Sequence, residues 1–148
     1  VRIVKKLRPL EHQQVFFSTI TYGDVILGDQ KKIFINDLVG YDVLLVTGIA
    51  NPQPIKDFLN QKEIDFNHLN FADHQRLGNK ELKSIYKKYV EICAGKKRIL
   101  STEKDYVRNF LDVNFPVYYL PIQTRFIGDG DSFNKLIINY VRKNKGNC

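Results

Sequence analysis

Val43–Pro54 reads VLLVTGIANPQP, and this stretch decides the fold. Val43, Leu44, Leu45 and Val46 form a short apolar run rich in β-branched residues, the pattern of a strand covered on both faces. Gly48 permits a tight turn where the strand ends. Asn51 stands before a proline, as turn-starting residues do. Pro54 suits the first turn of a helix. A strand that passes through a polar loop into a helix is the repeating piece of a parallel α/β sheet, and such sheets bind ligands beyond the carboxyl ends of their strands. Asn51 and Gln53 lie where that chemistry is expected, although loop-building alone also accounts for them.

Working outward, the alternation continues. Strands are predicted at Phe66–Leu69, Arg98–Ser101 and Val117–Leu120, with a further extended piece at Ile122–Phe126. Helices are predicted at Pro54–Gln61, Asn79–Cys93, Thr102–Leu111 and Ser132–Val141, the last capped by Asp131 or Ser132. In Asn79–Cys93, residues Leu82, Ile85, Tyr86, Tyr89, Val90 and Cys93 recur at helical spacing, which predicts a buried Cys93 thiol. Upstream, Val15–Tyr22 (VFFSTITY) is a β-branched and aromatic strand. Val25–Leu27 and Lys32–Ile35, punctuated by glycine-aspartate turns, read as short strands or a hairpin. Val1–Pro9 is a basic segment ending at a proline. The expected fold class is α/β. Residues 38–148 should form a small α/β/α sandwich with a mainly parallel sheet, and residues 1–37 a short β-strand linker element.

The chain has 148 residues, enough for a real core. Its 43% apolar and 26% charged content is that of a soluble globular protein and argues against disorder. No apolar run approaches the roughly 20 residues that a bilayer span needs, and no signal peptide is visible. Cys93 and Cys148 do not make a disulfide framework, so a reducing cytoplasm is the simplest compartment. Cys148, as a terminal residue, is expected to be mobile. There is no methionine, even at the first position. The opening VRIVKKLRP reads as the continuation of a longer protein, a processed chain being the alternative.

The net charge is +7. Basic clusters at Arg2–Arg8, Lys80–Lys88, Lys96–Arg98 and Arg142–Lys145 suit anionic partners, such as a phosphorylated lipid or a membrane face. A solvated basic surface accounts for the charge equally well. Nucleic acid is not favoured: there is no zinc spacing, RNA-recognition signature or glycine-arginine tract.

Two loops carry candidate chemistry. Asp73-His74 lies between the strand at Phe66–Leu69 and the helix at Asn79. A carboxylate beside an imidazole suits general-base work; the alternative role for Asp73 is to orient the loop backbone. Ser101-Thr102-Glu103-Lys104-Asp105 joins a strand to a helix. Thr102 and Asp105 form a capping-box pattern. A well-capped helix leaves Lys104 unexplained, because a cation is disfavoured in a first turn. Lys104 can bind an anion or pair with Asp73. His12 and His68 have no motif support and read as structural or surface residues. There is no Gly-x-x-x-x-Gly-Lys-Ser/Thr and no Gly-x-Gly-x-x-Gly, so the usual phosphate cradles are missing from this sequence.

Taken together, Val43–Pro54, Phe71-Ala-Asp-His-Gln75 and Ser101-Thr-Glu-Lys-Asp105 resemble, in order and rough spacing, the C-terminal half of the tetraacyldisaccharide 4'-kinases. These are the lipid A kinases of Gram-negative bacteria. The resemblance runs from about Gln14 to about Val141. It implies two α/β/α domains joined by a two-stranded β linker, of which this chain holds the linker, the end of the N-terminal domain and the C-terminal domain. It implies an enzyme that moves the γ-phosphate of ATP, with Mg²⁺, to the 4'-hydroxyl of an acylated disaccharide 1-phosphate at the cytoplasmic face of the inner membrane. His74 would be catalytic, and Asn51, Gln53, Asp73 and Lys104 would line the substrate cleft. The P-loop and metal ligands would lie in the missing N-terminal domain, so this chain alone is expected to be inactive, soluble and without a tightly bound cofactor. Many members have a second histidine where Gln75 stands, and two threonines where this chain has Ser101-Thr102. The alternative of a different class is a non-catalytic α/β module that binds a phosphorylated ligand or a partner protein.

Overall fold

The computed structural model describes residues 2–28, 31–93 and 95–144; Cys148, expected to be mobile, lies outside them. By contact the chain forms two compact units, one of residues 22–122 and one of residues 1–21 with 123–148.

The larger unit is built on a six-stranded sheet. Its strands are β2 (Val25–Gly28), β3 (Lys31–Phe34), β4 (Asp42–Thr47), β5 (Phe66–Asn70), β6 (Lys97–Thr102) and β7 (Val117–Leu120). Their order is β3-β2-β7-β6-β4-β5. The pairs β4–β5, β4–β6 and β6–β7 are parallel. Three helices connect them: α2 (Gln53–Gln61), α3 (Asn79–Glu91) and α4 (Glu103–Asn109).

Strand β4 shows why the sheet is covered twice. Side chains alternate across a strand, and both alternating sets here are apolar. Val43 and Leu45 join one core with Ile55 and Leu59 of α2 and with Ile26, Ile35, Leu100 and Leu120. Leu44 and Val46 join the other with Ile85 of α3 and with Ile99, Phe110 and Val117. This is the expected α/β/α sandwich. At about 25 cal/mol per Å² of apolar surface, these two cores are its main driving force.

Strands β2 and β3, expected in the linker, instead form the antiparallel edge of this sheet, with Leu27 opposite Tyr119. Gly28 makes that approach possible. A Cβ there would overlap the Val117 carbonyl oxygen and lie 2.9 Å from Tyr118 Cα, at a φ of +155°. Gly28→Ala is therefore expected to cost roughly 3 kcal/mol in urea unfolding, since neither backbone can yield without breaking the pairing. A loss below about 0.5 kcal/mol, the usual range of surface substitutions, would contradict the β2–β7 register.

Cys93 is not the buried thiol that helical spacing predicted; it is exposed. Helix α3 ends at Glu91, so the periodic pattern stops before Cys93. Lys97 holds that end by donating to the carbonyls of Val90 and Ile92 at 3.1 and 2.9 Å, an interaction suited to the negative end of a helix.

The smaller unit contains α1 (Arg2–Leu7), the two-stranded pairing of β1 (Phe17–Tyr22) with β8 (Ile122–Ile127), and α5 (Gly130–Asn144). The basic segment before Pro9 thus includes a short helix. It stops at Leu7: Arg8 takes a φ of +46°, outside the right-handed helical region, and Pro9 follows. Phe16, Phe126 and Phe133 form an aromatic cluster, with Phe16 edge-on to Phe133 at 5.3 Å. The helix cap is Asp129, not Asp131 or Ser132: its Oδ1 accepts the Ser132 amide at 2.9 Å, and its Oδ2 pairs with the Ser132 hydroxyl. These bonds from Ser132 hold the Asp129 carboxyl below its ordinary range. Among the described residues no helix is long and apolar enough to cross a membrane.

Candidate functional site

Because β4, β5 and β6 are parallel, their carboxyl ends share one edge of the sheet, and the three motif loops leave from that edge. The loop after β4 carries Asn51 and leads into Gln53, the first residue of α2, the loop after β5 carries Asp73 and His74, and α4 follows β6 directly with Lys104 in its first turn.

Three of the candidates meet. Lys104 Nζ donates to Asp73 Oδ1 at 2.9 Å, and His74 Nε2 lies 3.5 Å from Asp73 Oδ2. The Lys104 hydrogen bond is the main cause that holds the Asp73 carboxyl below its ordinary range. His74 is open to solvent, its side chain 72% exposed. It takes a left-handed φ of +61°, a conformation that costs a side chain more than a helical or extended one. Its amide donates to the Gly48 carbonyl at 3.4 Å, which ties the Asp73-His74 loop to the turn after β4.

Asn51 and Gln53 stand at the same edge but are engaged locally. Asn51 Oδ1 accepts the Gln53 amide at 3.1 Å, and Gln53 Nε2 donates to Asp57 Oδ1 at 2.6 Å. Both bonds build the start of α2. Gln75 braces the loop, its Oε1 accepting the Ala72 amide at 3.2 Å. Ser101 donates to the Val46 carbonyl at 2.8 Å and is buried. His68, read from sequence as a structural or surface residue, contacts the buried Thr47 hydroxyl at 2.8 Å through Nε2. Burial, with Lys56 nearby, lowers its pKa.

Two residues at this edge escaped sequence reasoning. Asp105, read only as a helix cap, is 2% exposed. Its Oδ2 accepts both the Gly48 amide and the Thr102 hydroxyl at 2.8 Å, while Thr102 Oγ1 accepts the Asp105 amide at 3.1 Å. One buried carboxylate thereby joins the turn after β4 to the start of α4. Gly48 is buried against it: a Cβ would lie 3.3 Å from both Asp105 Oδ1 and the Ala72 carbonyl. The second is Arg108, whose Nη2 lies 3.3 Å from His74 Nδ1. Its spacing of four from Lys104 places both cations on one face of α4, a signal present in the sequence.

The edge thus offers an exposed imidazole, a carboxylate beside it and two cations, a set able to exchange a proton and hold an anion. Among the described residues no three histidine, cysteine, aspartate or glutamate side chains converge.

The family model for tetraacyldisaccharide-1-P 4'-kinase (LpxK) matches residues 5–142. The chain belongs to that family. It is 34% identical over 140 residues to the tetraacyldisaccharide 4'-kinase of Flavobacterium johnsoniae, covering 94% of this chain and 39% of the relative. It is 31% identical over 165 residues to that of Bacteroides thetaiotaomicron, covering 98% of this chain and 43% of the relative. The chain therefore spans about two-fifths of the length of these curated relatives. Among solved structures, it resembles LpxK from Aquifex aeolicus, crystallised in complex with ATP. The TM-score is 0.53 at 17% identity, over 91% of this chain and 40% of that one. At that identity the likeness speaks for the shared α/β fold.

Proposed function

We propose that this chain is the C-terminal part of a lipid A 4'-kinase. The whole protein would transfer the γ-phosphate of ATP to the 4'-hydroxyl of an acylated disaccharide 1-phosphate. The observation that carries this reading is the meeting of Asp73, His74 and Lys104 at the carboxyl edge, in a member of the kinase family.

Each residue then has a role. Phosphoryl transfer is mostly positioning and charge stabilisation, with a base or positioning residue to orient the nucleophile. His74 is that residue, exposed where a sugar hydroxyl could reach it. Asp73 holds the imidazole from one side and is itself held by Lys104. Lys104, with a side chain 38% exposed, keeps ammonium hydrogens free for a phosphate. Asn51 and Gln53 shape the cleft from the neighbouring loop and the start of α2. ATP and Mg²⁺ belong to the N-terminal half, and its junction with this chain falls within residues 1–37, upstream of β2. The acyl chains, helped by the basic clusters, would place the protein at the cytoplasmic face of the inner membrane. By itself the chain, which carries no P-loop, transfers no phosphate.

The test is ATP-dependent 4'-phosphorylation of tetraacyldisaccharide 1-phosphate by the whole protein, with thin-layer separation of the lipid product. Product that depends on both ATP and the acylated acceptor is expected. A whole protein that binds phosphorylated lipid but never forms the 4'-phosphate would refute the enzyme reading.

A further inference from the structure

The contact between Arg108 and His74 constrains the chemistry of the ring. A guanidinium has only hydrogen-bond donors, so the 3.3 Å contact from Arg108 Nη2 makes His74 Nδ1 an acceptor. In the neutral imidazole the proton then sits on Nε2, facing Asp73 Oδ2 at 3.5 Å. The lone pair on Nδ1 is the one that can accept a proton, and Arg108 covers it.

Arg108 is held there weakly. The bond to His74 is its one side-chain hydrogen bond among the described residues, and its Nη1 is buried without a partner. Leaving His74 therefore breaks a single bond to a neutral acceptor. A phosphate is a better acceptor for this group: charge-assisted bonds are about twice as strong as neutral ones, and the guanidinium fork matches two phosphate oxygens at once. Lys104, four residues earlier on the same helix face, supplies a second cation beside the same loop.

We propose that Arg108 is a phosphate-responsive cap on His74. Without a ligand, it covers Nδ1 and holds the ring in the Nε2–H tautomer. A terminal phosphate group entering beside Lys104 draws the guanidinium away and uncovers Nδ1 as the proton acceptor. The exposed base is thereby coupled to the presence of phosphate. Arg108 is a positioning residue in this account, which rests on the reading of His74 above. The phosphate is either the terminal group of the nucleotide or the 1-phosphate of the sugar.

Histidine ¹⁵N NMR on the 148-residue chain, at constant ionic strength, tests the cap. The unliganded chain should show His74 as the Nε2–H tautomer with Nδ1 unprotonated. Inorganic phosphate should shift the Nδ1 resonance, whereas an equal ionic strength of chloride should not. Arg108→Ala should abolish the response, and Arg108→Lys should keep a weakened one. If the alanine variant fails to fold by circular dichroism, the lysine variant decides: an undiminished response there counts against the cap. Adding ATP and glucosamine 1-phosphate separately identifies the source, and a response to either supports the proposal. In the whole enzyme, Arg108→Ala should raise KM for that phosphate donor or acceptor by about 10- to 100-fold, the worth of a charge-assisted bond, with kcat changed far less.

An Nδ1–H tautomer, a response equal to chloride's, or an Arg108→Ala spectrum that still responds to phosphate would overturn the cap. The two readings fail separately. Wild-type turnover in His74→Ala removes the base while the NMR still decides the cap. An inactive His74→Ala with an unaltered Arg108→Ala removes the cap alone.

Discussion

In the whole enzyme, His74→Ala is expected to lower kcat by about 10²–10⁴-fold, the usual contribution of a positioned general base or its partner. The fold should scarcely notice. The His74 side chain is 72% exposed, so its removal opens no cavity and strips away little packing. What the fold does feel is the backbone, because residue 74 sits at a φ of +61°. His74→Gly should be as stable as the wild type or slightly more so, since glycine adopts that conformation without steric cost. It should nevertheless be as inactive as His74→Ala. Pairing the two variants separates chemistry from stability: a structural histidine would show activity that follows the melting temperature, and a chemical one would not. Wild-type turnover in either folded variant would end the role assigned to His74.

The apolar run Val43–Val46, with the alternation of strands and helices that follows it, was enough to read the sandwich, because a strand apolar at every position must be covered on both faces, whatever covers it. The carboxyl-edge loops followed from that reading. The membership of β2 and β3 in the sheet did not, because the pairing of Leu27 with Tyr119 spans most of the chain and has no local signature. Cys93 was misplaced for a related reason: periodicity says which face a residue would occupy, but not that Lys97 ends the helix two residues earlier. At the site, Asp73, His74 and Lys104 were legible as residue types in motif loops, and the Lys104–Asp73 pair was among the alternatives. Arg108 was legible only as a cation four residues from Lys104. That it meets His74 depends on the path of the loop after β5, including the left-handed turn at residue 74. Asp105 was half legible. Its spacing from Thr102 announced the cap, but its bond to Gly48 joins strands that only the fold makes neighbours.

That bond makes Asp105 the residue whose loss should most disturb this edge. Its Oδ2 holds the Gly48 amide and the Thr102 hydroxyl, both at 2.8 Å, inside a site 2% exposed. Asp105→Ala leaves the Gly48 amide buried without an acceptor and removes half of the α4 cap. A lost hydrogen bond to a charged group costs about 1.5–3 kcal/mol, and a lost cap about 1 kcal/mol. A destabilisation of roughly 2–4 kcal/mol is therefore expected in urea unfolding. Asp105→Asn keeps an oxygen able to accept from both donors and should cost less than half as much. The disturbance should also spread towards His74, whose amide bonds to the carbonyl of the same Gly48. Hydrogen exchange offers the direct check: the amides of Gly48 and His74 should lose protection together in Asp105→Ala, beyond the change shared by the core strands. If the variant unfolds like the wild type, or if Gly48 loosens while His74 keeps its protection, then Asp105 caps a helix and does not brace the site.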